Sequence, residues 1–463
     1  MFRKILIANR GEIALRILRA CHELNISSVV AYSDVDRDSL PVRMSDEAVC
    51  IGPGPASRSY NNIPAIISAA VVTGCDALHP GYGFLAENPS LAEICEECNL
   101  VFIGPRPEVL SQSGNKSVAR QIMKHAKIPI IPGSEDPVHD VQTARAIGKE
   151  IGYPALIKAV AGGGGRGMRV AWDERDLVQA FPLAQSEAQA AFGNGAVYVE
   201  KFLEHPRHIE VQIIADNHGH VVALGERDCS LQRRYQKLIE ETPAPNISSR
   251  LRDSLSKAAI KASKALEYTG AGTFEFLVDR EEHFYFTEVN ARIQVEHPVT
   301  EAVTGIDLIK WQIRVAAGEQ LDFSQKDCRP RGHAIEARIN AENVAADFAP
   351  SCGQVEDLVL PGGPGVRIDT HLYTGYVVPP HYDSLLAKLV VWGSDRDEAL
   401  NRLHRALSET VISGVDTTVD FYKGIVRDRA FATGLVHTGF IGEYINRTRE
   451  AVTSRLVERD LAG

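Results

Sequence analysis

Paired cysteines, long apolar runs and a basic surface are all missing from this sequence, and each absence removes a class of protein. Eight cysteines are scattered along 463 residues; only Cys95 and Cys98 share a C-x-x-C spacing, and no second pair or neighbouring histidine completes a zinc or redox site. Two thiols on one helix face is the simpler reading, and free cysteines in a chain this large suit a reducing compartment. The longest weakly polar stretch, IPAIISAAVVTG, falls far short of the roughly 20 residues of a membrane span and contains Pro64, so no span is expected. At the start, MFRKILIANRGEIALR is interrupted by Arg10 and Glu12 and lacks a small-residue cleavage site, so a cytoplasmic protein is expected. With 50 Lys and Arg interspersed among 60 Asp and Glu, the formal charge is -10, and no continuous basic face for nucleic acid or anionic lipid results.

Two nucleotide fingerprints are missing as well. The first turn reads ANRGEIA in place of G-x-G-x-x-G, which weakens a dehydrogenase reading, and no G-x-x-x-x-G-K-[ST] loop occurs. Repeats and low-complexity tracts are absent.

What is present is an ordinary globular chain, 44% hydrophobic and long enough for about three structural units. From Met1 to about Gly114, strand-like runs (KILIAN, SSVVAYS, DALHPG, LVFIGP) alternate with helical patterns, which predicts a doubly wound α/β unit with a parallel sheet. Residues 115–330 open with a helix (SVARQIMKHA) and continue as a strand, a glycine loop and a second strand (PALIKA, AGGGGRGMRV). Beyond about Pro330, HAIEARINA, GQVEDLVL, GVRIDTHL and LLAKLVVWG predict a third, α+β unit ending in the amphipathic EALNRLHRALSETV.

Four consecutive glycines at 162–165 remove every Cβ and allow backbone N-H groups to close on a phosphate, with Lys158 upstream as a point charge; a hairpin tip that binds nothing accounts for the run equally well. In TEVNARIQVEHP, Glu288, Asn290, Arg292, Gln294 and Glu296 alternate with Val289, Ala291, Ile293 and Val295, so a strand here carries its chemistry on one face. If Arg280 to His283 form a four-residue hairpin loop, Glu275 lies opposite Glu288. Opposed like charges are destabilising unless a hard cation sits between them, so Glu275, Glu288 and Asn290 are candidate ligands of magnesium or manganese. Elsewhere, Arg233, Arg234 and Lys237 gather positive charge, with a solvated helix face as the bland reading, and VYVEKFLEHPRHIEVQI alternates apolar residues with Glu200, Lys201, His208 and Glu210. Arg338 shares a strand face with Glu336 and Asn340, which a structural ion pair explains as well as chemistry does. Tyr82 in HPGYGFLAEN lines a pocket or shapes a turn.

The ordered set IANRGEIALRI, HPGYGFLAEN, GGGGRGMR, VEKFLEHPRHIE, ERDCSLQRR, TFEFL, E-x-N-x-R-I-Q-V-E-H-P-V-T-E and EARINAE resembles the biotin carboxylases, the ATP-grasp components of biotin-dependent carboxylases, from about Phe2 to about Ile445. The resemblance implies an N-terminal unit over 1–114, an ATP-grasp unit over 115–330 with a lid at about 131–203, a C-terminal unit over 331–446 and a helical or flexible tail over 447–463. It implies ATP contacts from Lys116, Lys158, Gly164, Gly165, Glu200, Lys201, Leu203, His208, Gln232, Tyr235, Glu275, Leu277 and Glu288, and assigns the metal to the same Glu275, Glu288 and Asn290. Bicarbonate is implied among Lys237, Arg292, Gln294, Val295 and Glu296, with Glu296 as the base. Biotin is implied near Tyr82, Arg338 and Asp383, with Arg338 stabilising its enolate. Two departures stand out: Tyr235 replaces the histidine of the commoner QRRHQK, and Ala161 replaces the first glycine of the loop. No A-M-K-M biotinylation motif occurs, so biotin is expected on a separate carrier protein, with a separate carboxyltransferase and a homodimer as further expectations. Another ATP-grasp ligase, or a nucleotide-binding protein without activity, is the alternative.

Overall fold

The computed structural model describes residues 1–159 and 168–450, so Gly164, Gly165 and the end of the tail lie outside the described residues; residues 440–450 are helical. Near the N-terminus, β1 (Lys4–Ile7), β2 (Ser27–Ser33), β3 (Glu47–Gly52), β4 (Ala77–His79) and β5 (Val101–Phe102) form one parallel sheet in the order β3-β2-β1-β4-β5. Its two faces are covered separately. Ile5 and Ile7 cluster with Ile13, Ile17 and Leu18 of helix Gly11–Glu23, whereas Leu6 joins Ile66 and Ile67 of helix Ile63–Val72 on the other side. Burial on both faces is why the central strands read as unbroken apolar runs. Half of the residues of the edge strand β3, EAVCIG, are exposed, and it carries no such signal.

A small antiparallel sheet follows, β6 (Ala155–Ala159), β7 (Met168–Ala171) and β8 (Val197–Lys201), in the order β7-β6-β8. Ile157, Val197 and Val199 pack on Leu177 and Phe181 of helix Glu174–Phe192. Strand alternation then turns Lys158 to the other face.

The largest sheet has eight antiparallel strands. It runs β13 (Phe284–Asn290), β12 (Gly270–Val278), β9 (Arg207–Ala215), β10 (Val221–Arg233), β11 (Gln236–Thr242), β14 (His333–Asn340), then Leu385–Gly393 and Val366–Thr370. Strands from beyond residue 330 therefore extend the sheet begun before it. The free backbone groups of β11 are satisfied by β14, with Ile239 opposite Ala337 and Glu240 opposite Glu336.

Three local expectations are corrected. Arg233 to Lys237 lie on a hairpin, not a helix face: Arg234 (φ 49°) and Tyr235 (φ 67°) make the left-handed turn between β10 and β11. The loop joining β12 to β13 has five residues, and a bulge between Phe276 and Glu275 restores the pairing of Glu275 with Glu288. Finally, β13 stops at Asn290; residues 291–296 are irregular and helix His297–Thr304 begins immediately after them.

Gly332 leads into β14 with φ 71°, and a Cβ there would lie 2.1 Å from the Gly393 carbonyl oxygen. Gly332→Ala is expected to destabilise the chain by more than about 1 kcal/mol. The check is a urea melt, and an unchanged midpoint would contradict this close approach.

Candidate active site

The hairpin that carries Lys237 delivers its ammonium into the centre of the large sheet. There Nζ lies 2.6 Å from Glu210 on β9, 2.9 Å from Glu275 on β12 and 2.6 Å from Glu296 before helix His297–Thr304. Gln294 Oε1 accepts from the same ammonium at 3.4 Å. Burial works against the charge on Lys237, but the three carboxylates outweigh it and hold its pKa well above the ordinary lysine value. On the far side of Glu210, the fully buried Arg227 donates to Glu210 at 2.6 Å, to Gln212 at 2.8 Å and to Thr300 Oγ1 at 2.9 Å. No buried carboxylate of this cluster is left without a cation, as the cost of an unpaired internal charge requires.

Glu296 is the point where two cations converge. Lys237 approaches one oxygen, and Arg338 on β14 donates to the other at 2.9 Å while also gripping Glu240 at 2.6 Å through Nε. Burial alone raises the Glu296 pKa, yet Lys237 and Arg338 more than reverse it and keep the group well below the usual carboxylate range. At neutral pH it is an ionised, fully enclosed acceptor.

Around Glu288 the balance is different. It stands opposite Glu275, its cationic neighbour Lys116 is 3.7 Å away, and burial together with the charge of Glu275 raises its pKa. Asn290 donates Nδ2 to Glu275 at 2.9 Å, while its oxygen accepts from Arg292 at 2.9 Å and retains a second lone pair. Glu275 is compensated by Lys237 and His208, which leaves Glu288 as the undercompensated carboxylate, and two carboxylates with an amide oxygen fit a hard, oxygen-preferring divalent cation.

Residues named from the sequence for ATP are carried by several elements. Lys116 opens helix Lys116–His125, whose N-terminus is capped by Asn115. On the small sheet, Lys158 lies 2.5 Å from the buried Glu200, which also pairs with Arg120, and Lys201 donates to the Tyr153 carbonyl at 2.8 Å. His208 Nε2 is 3.0 Å from Glu275, Leu277 is the cross-strand partner of His208, and the buried Gln232 faces Lys237 across the hairpin. Leu203 is half-buried just past β8. Tyr235, 64% exposed at the hairpin tip, brings its hydroxyl 3.6 Å from Met168 Sδ, at the first described residue after the glycine segment.

Arg292 is turned aside, donating to Glu87 at 2.9 Å, and the Val295 carbonyl accepts from Lys388 at 3.1 Å. Tyr82 donates to Glu12, which pairs with Lys388 at 3.0 Å. Burial, then the charges of Glu12 and Asp383, push the Tyr82 phenol well above its usual pKa, so it stays a donor. Asp383 is exposed, with one oxygen held by the Leu385 backbone N-H at 3.0 Å.

Sequence reasoning missed Glu87, Glu240 and Lys388. Lys388 left a readable sign, since a lysine inside the apolar run LLAKLVVWG must find a partner if that run is buried. Glu87 and Glu240 sit in ordinary polar contexts and gave none.

Comparison with known proteins accords with this geometry. Residues 1–110 match the biotin carboxylase N-terminal domain, 115–324 the ATP-binding domain of the carbamoyl-phosphate synthase L chain, and 336–443 the biotin carboxylase C-terminal domain. A biotin carboxylase of Nostoc sp. is 55% identical over 96% of this chain and 99% of its own length. A pyruvate carboxylase subunit from Methanothermobacter thermautotrophicus is 52% identical over 99% of this chain and 93% of its own. Among solved structures, a β,γ-ATP complex of biotin carboxylase from Campylobacter jejuni superposes with a TM-score of 0.90 at 48% identity, covering 96% of this chain and 99% of that one. The biotin carboxylase domain dimer of the Hydrogenobacter thermophilus 2-oxoglutarate carboxylase, in complex with MgADP, ADP and bicarbonate, gives 0.89 at 47% identity, covering 96% and 98%. With 52% and 55% identity along almost the whole of the Methanothermobacter and Nostoc relatives, this chain belongs to the biotin carboxylase family.

Proposed function

We propose that this chain uses ATP to activate bicarbonate and transfers the carboxyl group to biotin borne by a separate carrier protein. The observation that carries the proposal is Glu296, buried and ionised between Lys237 and Arg338 at one end of a polar surface whose other end is the opposed pair Glu275 and Glu288. Glu296 takes the proton of bicarbonate, and the freed oxygen attacks the γ-phosphorus of ATP, giving carboxyphosphate as ADP leaves. Lys237, Arg292, Gln294 and the Val295 backbone position the bicarbonate. Lys116, Lys158, Gly164, Gly165, Glu200, Lys201, Leu203, His208, Gln232, Tyr235 and Leu277 hold the nucleotide beside Glu275 and Glu288. Glu275, Glu288 and Asn290 would hold Mg2+ or Mn2+, which supplies neutralising charge at the nucleotide phosphates when bound. Carboxyphosphate then breaks into CO2 and phosphate, the phosphate takes the ureido proton of biotin, and the biotin nitrogen bonds to CO2. Arg338 meets the charge that develops on the ureido oxygen, while Tyr82 and Asp383 border the ring. Most of the acceleration comes from positioning and electrostatics.

The carrier and carboxyltransferase are separate partners, the working form is a homodimer, and the compartment is the cytoplasm; no described helix is long and apolar enough to cross a membrane. Acetyl-CoA, for fatty acid synthesis, is proposed as the final acceptor, with another acyl-CoA or pyruvate as the alternative.

With magnesium, ATP hydrolysis by the purified chain is expected to require bicarbonate, rise with free biotin and match the acid-labile fixation of labelled bicarbonate; hydrolysis indifferent to biotin would sink the assignment. Glu296→Ala is expected to lower bicarbonate-dependent turnover roughly 100- to 10,000-fold with nucleotide binding kept, and turnover near wild type would remove it as the base. Arg338→Ala should slow carboxybiotin formation about 100- to 1,000-fold and ATP cleavage far less, so equal losses would refute its role at the ureido oxygen.

A further inference from the structure

Glu336 is fully buried, and neither of its carboxylate oxygens has a hydrogen-bond partner. It lies directly opposite Glu240 in the β11–β14 ladder, and Glu240 also has one oxygen, Oε2, without a partner. Its surroundings are apolar: Ala334, two residues back on the same strand face, and Val390, its partner across the sheet, cluster with Val299 and Val303 of helix His297–Thr304. Two cations stand near, and both are committed. Lys388 is bound to Glu12 and the Val295 carbonyl, and Arg338 to Glu240 and Glu296. Directly opposed carboxylates cannot both be ionised where water and free cations are excluded.

We infer that Glu336 and Glu240 share one proton, with Glu336 the neutral acid, and that this pair is a positioning device for Arg338. A carboxylic acid at Glu336 satisfies the orphan oxygen of Glu240 by donating to it and leaves Glu240 with a single charge to spend on Arg338. Were Glu336 ionised as well, Arg338 would be held by three carboxylates, Glu240, Glu296 and Glu336, and drawn back from charge developing in the site. The direction of titration agrees: burial, then the charges of Glu240 and Glu296, outweigh Lys388 and Arg338 and raise Glu336 well above the carboxylate range, while Glu240 is pushed up to about 7.

The sign of the stability effect follows. A raised folded pKa means that the stability contributed by the proton is complete below the unfolded value near 4.5 and is lost as pH rises towards the folded one. Glu336→Gln keeps the shape of the neutral acid and cannot ionise. It is therefore expected to melt at or above the wild-type temperature at neutral pH, with an advantage that grows at alkaline pH; a variant less stable at every pH would show an ionised, paired Glu336 and overturn the inference. In the biotin carboxylation assay, the alkaline decline of kcat should move up by about one pH unit in Glu336→Gln, and an unmoved decline would remove the link to Arg338. Infrared spectra of the wild-type chain, independent of whether the variant folds, should show a protonated carboxyl band at neutral pH that disappears on alkalisation, and its absence would refute the shared proton. The role of Arg338 rests on the proposed reaction, but the melting and infrared results do not, so the two ideas fail separately.

Discussion

A single half-buried ammonium organises this molecule. Lys237 is the cation on which Glu210, Glu275 and Glu296 converge, and these come from two strands and a helix entrance far apart in sequence. An ionised carboxylate without compensation inside a protein costs several kcal/mol, so the strands that carry the three groups are constrained to the geometry in which Lys237 reaches all of them. Arg227 repeats the device one layer deeper, joining Glu210 to Thr273 and Thr300. The middle of the sheet is thus held by charge as well as by its ladders and by the apolar faces of Phe274 and Phe276.

The same economy of charge assembles the rest of the site across regions. Glu12 and Glu87, from the N-terminal parallel unit, pair with Lys388 and Arg292 from beyond residue 290. Arg10 pairs with Asp36 at 2.9 Å and reaches the Tyr376 hydroxyl at 3.1 Å, while Arg16 binds Glu301 at 3.0 Å. A mutation in the N-terminal unit therefore bears on the site through partners, even though the central chemistry belongs to other strands. The hairpin tip reaches the small sheet, where Tyr235 meets Met168, so the residue that departs from the commoner family histidine sits where the small sheet faces the large one.

Glu275 and Glu288 illustrate how a correct inference can rest on an incorrect detail. A four-residue loop predicts their opposition, but the loop is longer and a bulge restores the register. Likewise, Asn290, Gln294 and Glu296 do gather around Glu275 and Lys237, as their alternation suggests, although Arg292 turns aside to Glu87 and the strand ends at Asn290. Beyond that point their convergence comes from tertiary bonds, such as Gln294 to Glu275 at 3.2 Å, and not from the pleat.

The sequence by itself determined what local rules encode: the doubly wound parallel unit, from apolar runs separated by turn-forming residues; the strand and glycine-loop order of the middle region; and the opposed acidic pair. The family followed from motifs too numerous and too ordered to recur by chance. Only the tertiary structure decided which distant charges meet. Lys237 reads as part of a solvated basic cluster because nothing near it in sequence reveals the three carboxylates around it, and Glu336 reads as an ion-pair partner for Arg338 on its own strand, whereas Arg338 is taken by Glu240 and Glu296 and Glu336 lies opposite Glu240, because β14 joins the edge of a sheet begun some 130 residues earlier. Strand pairing between remote segments is settled by which free edge remains to be satisfied, a property of the assembled sheet that no local pattern carries.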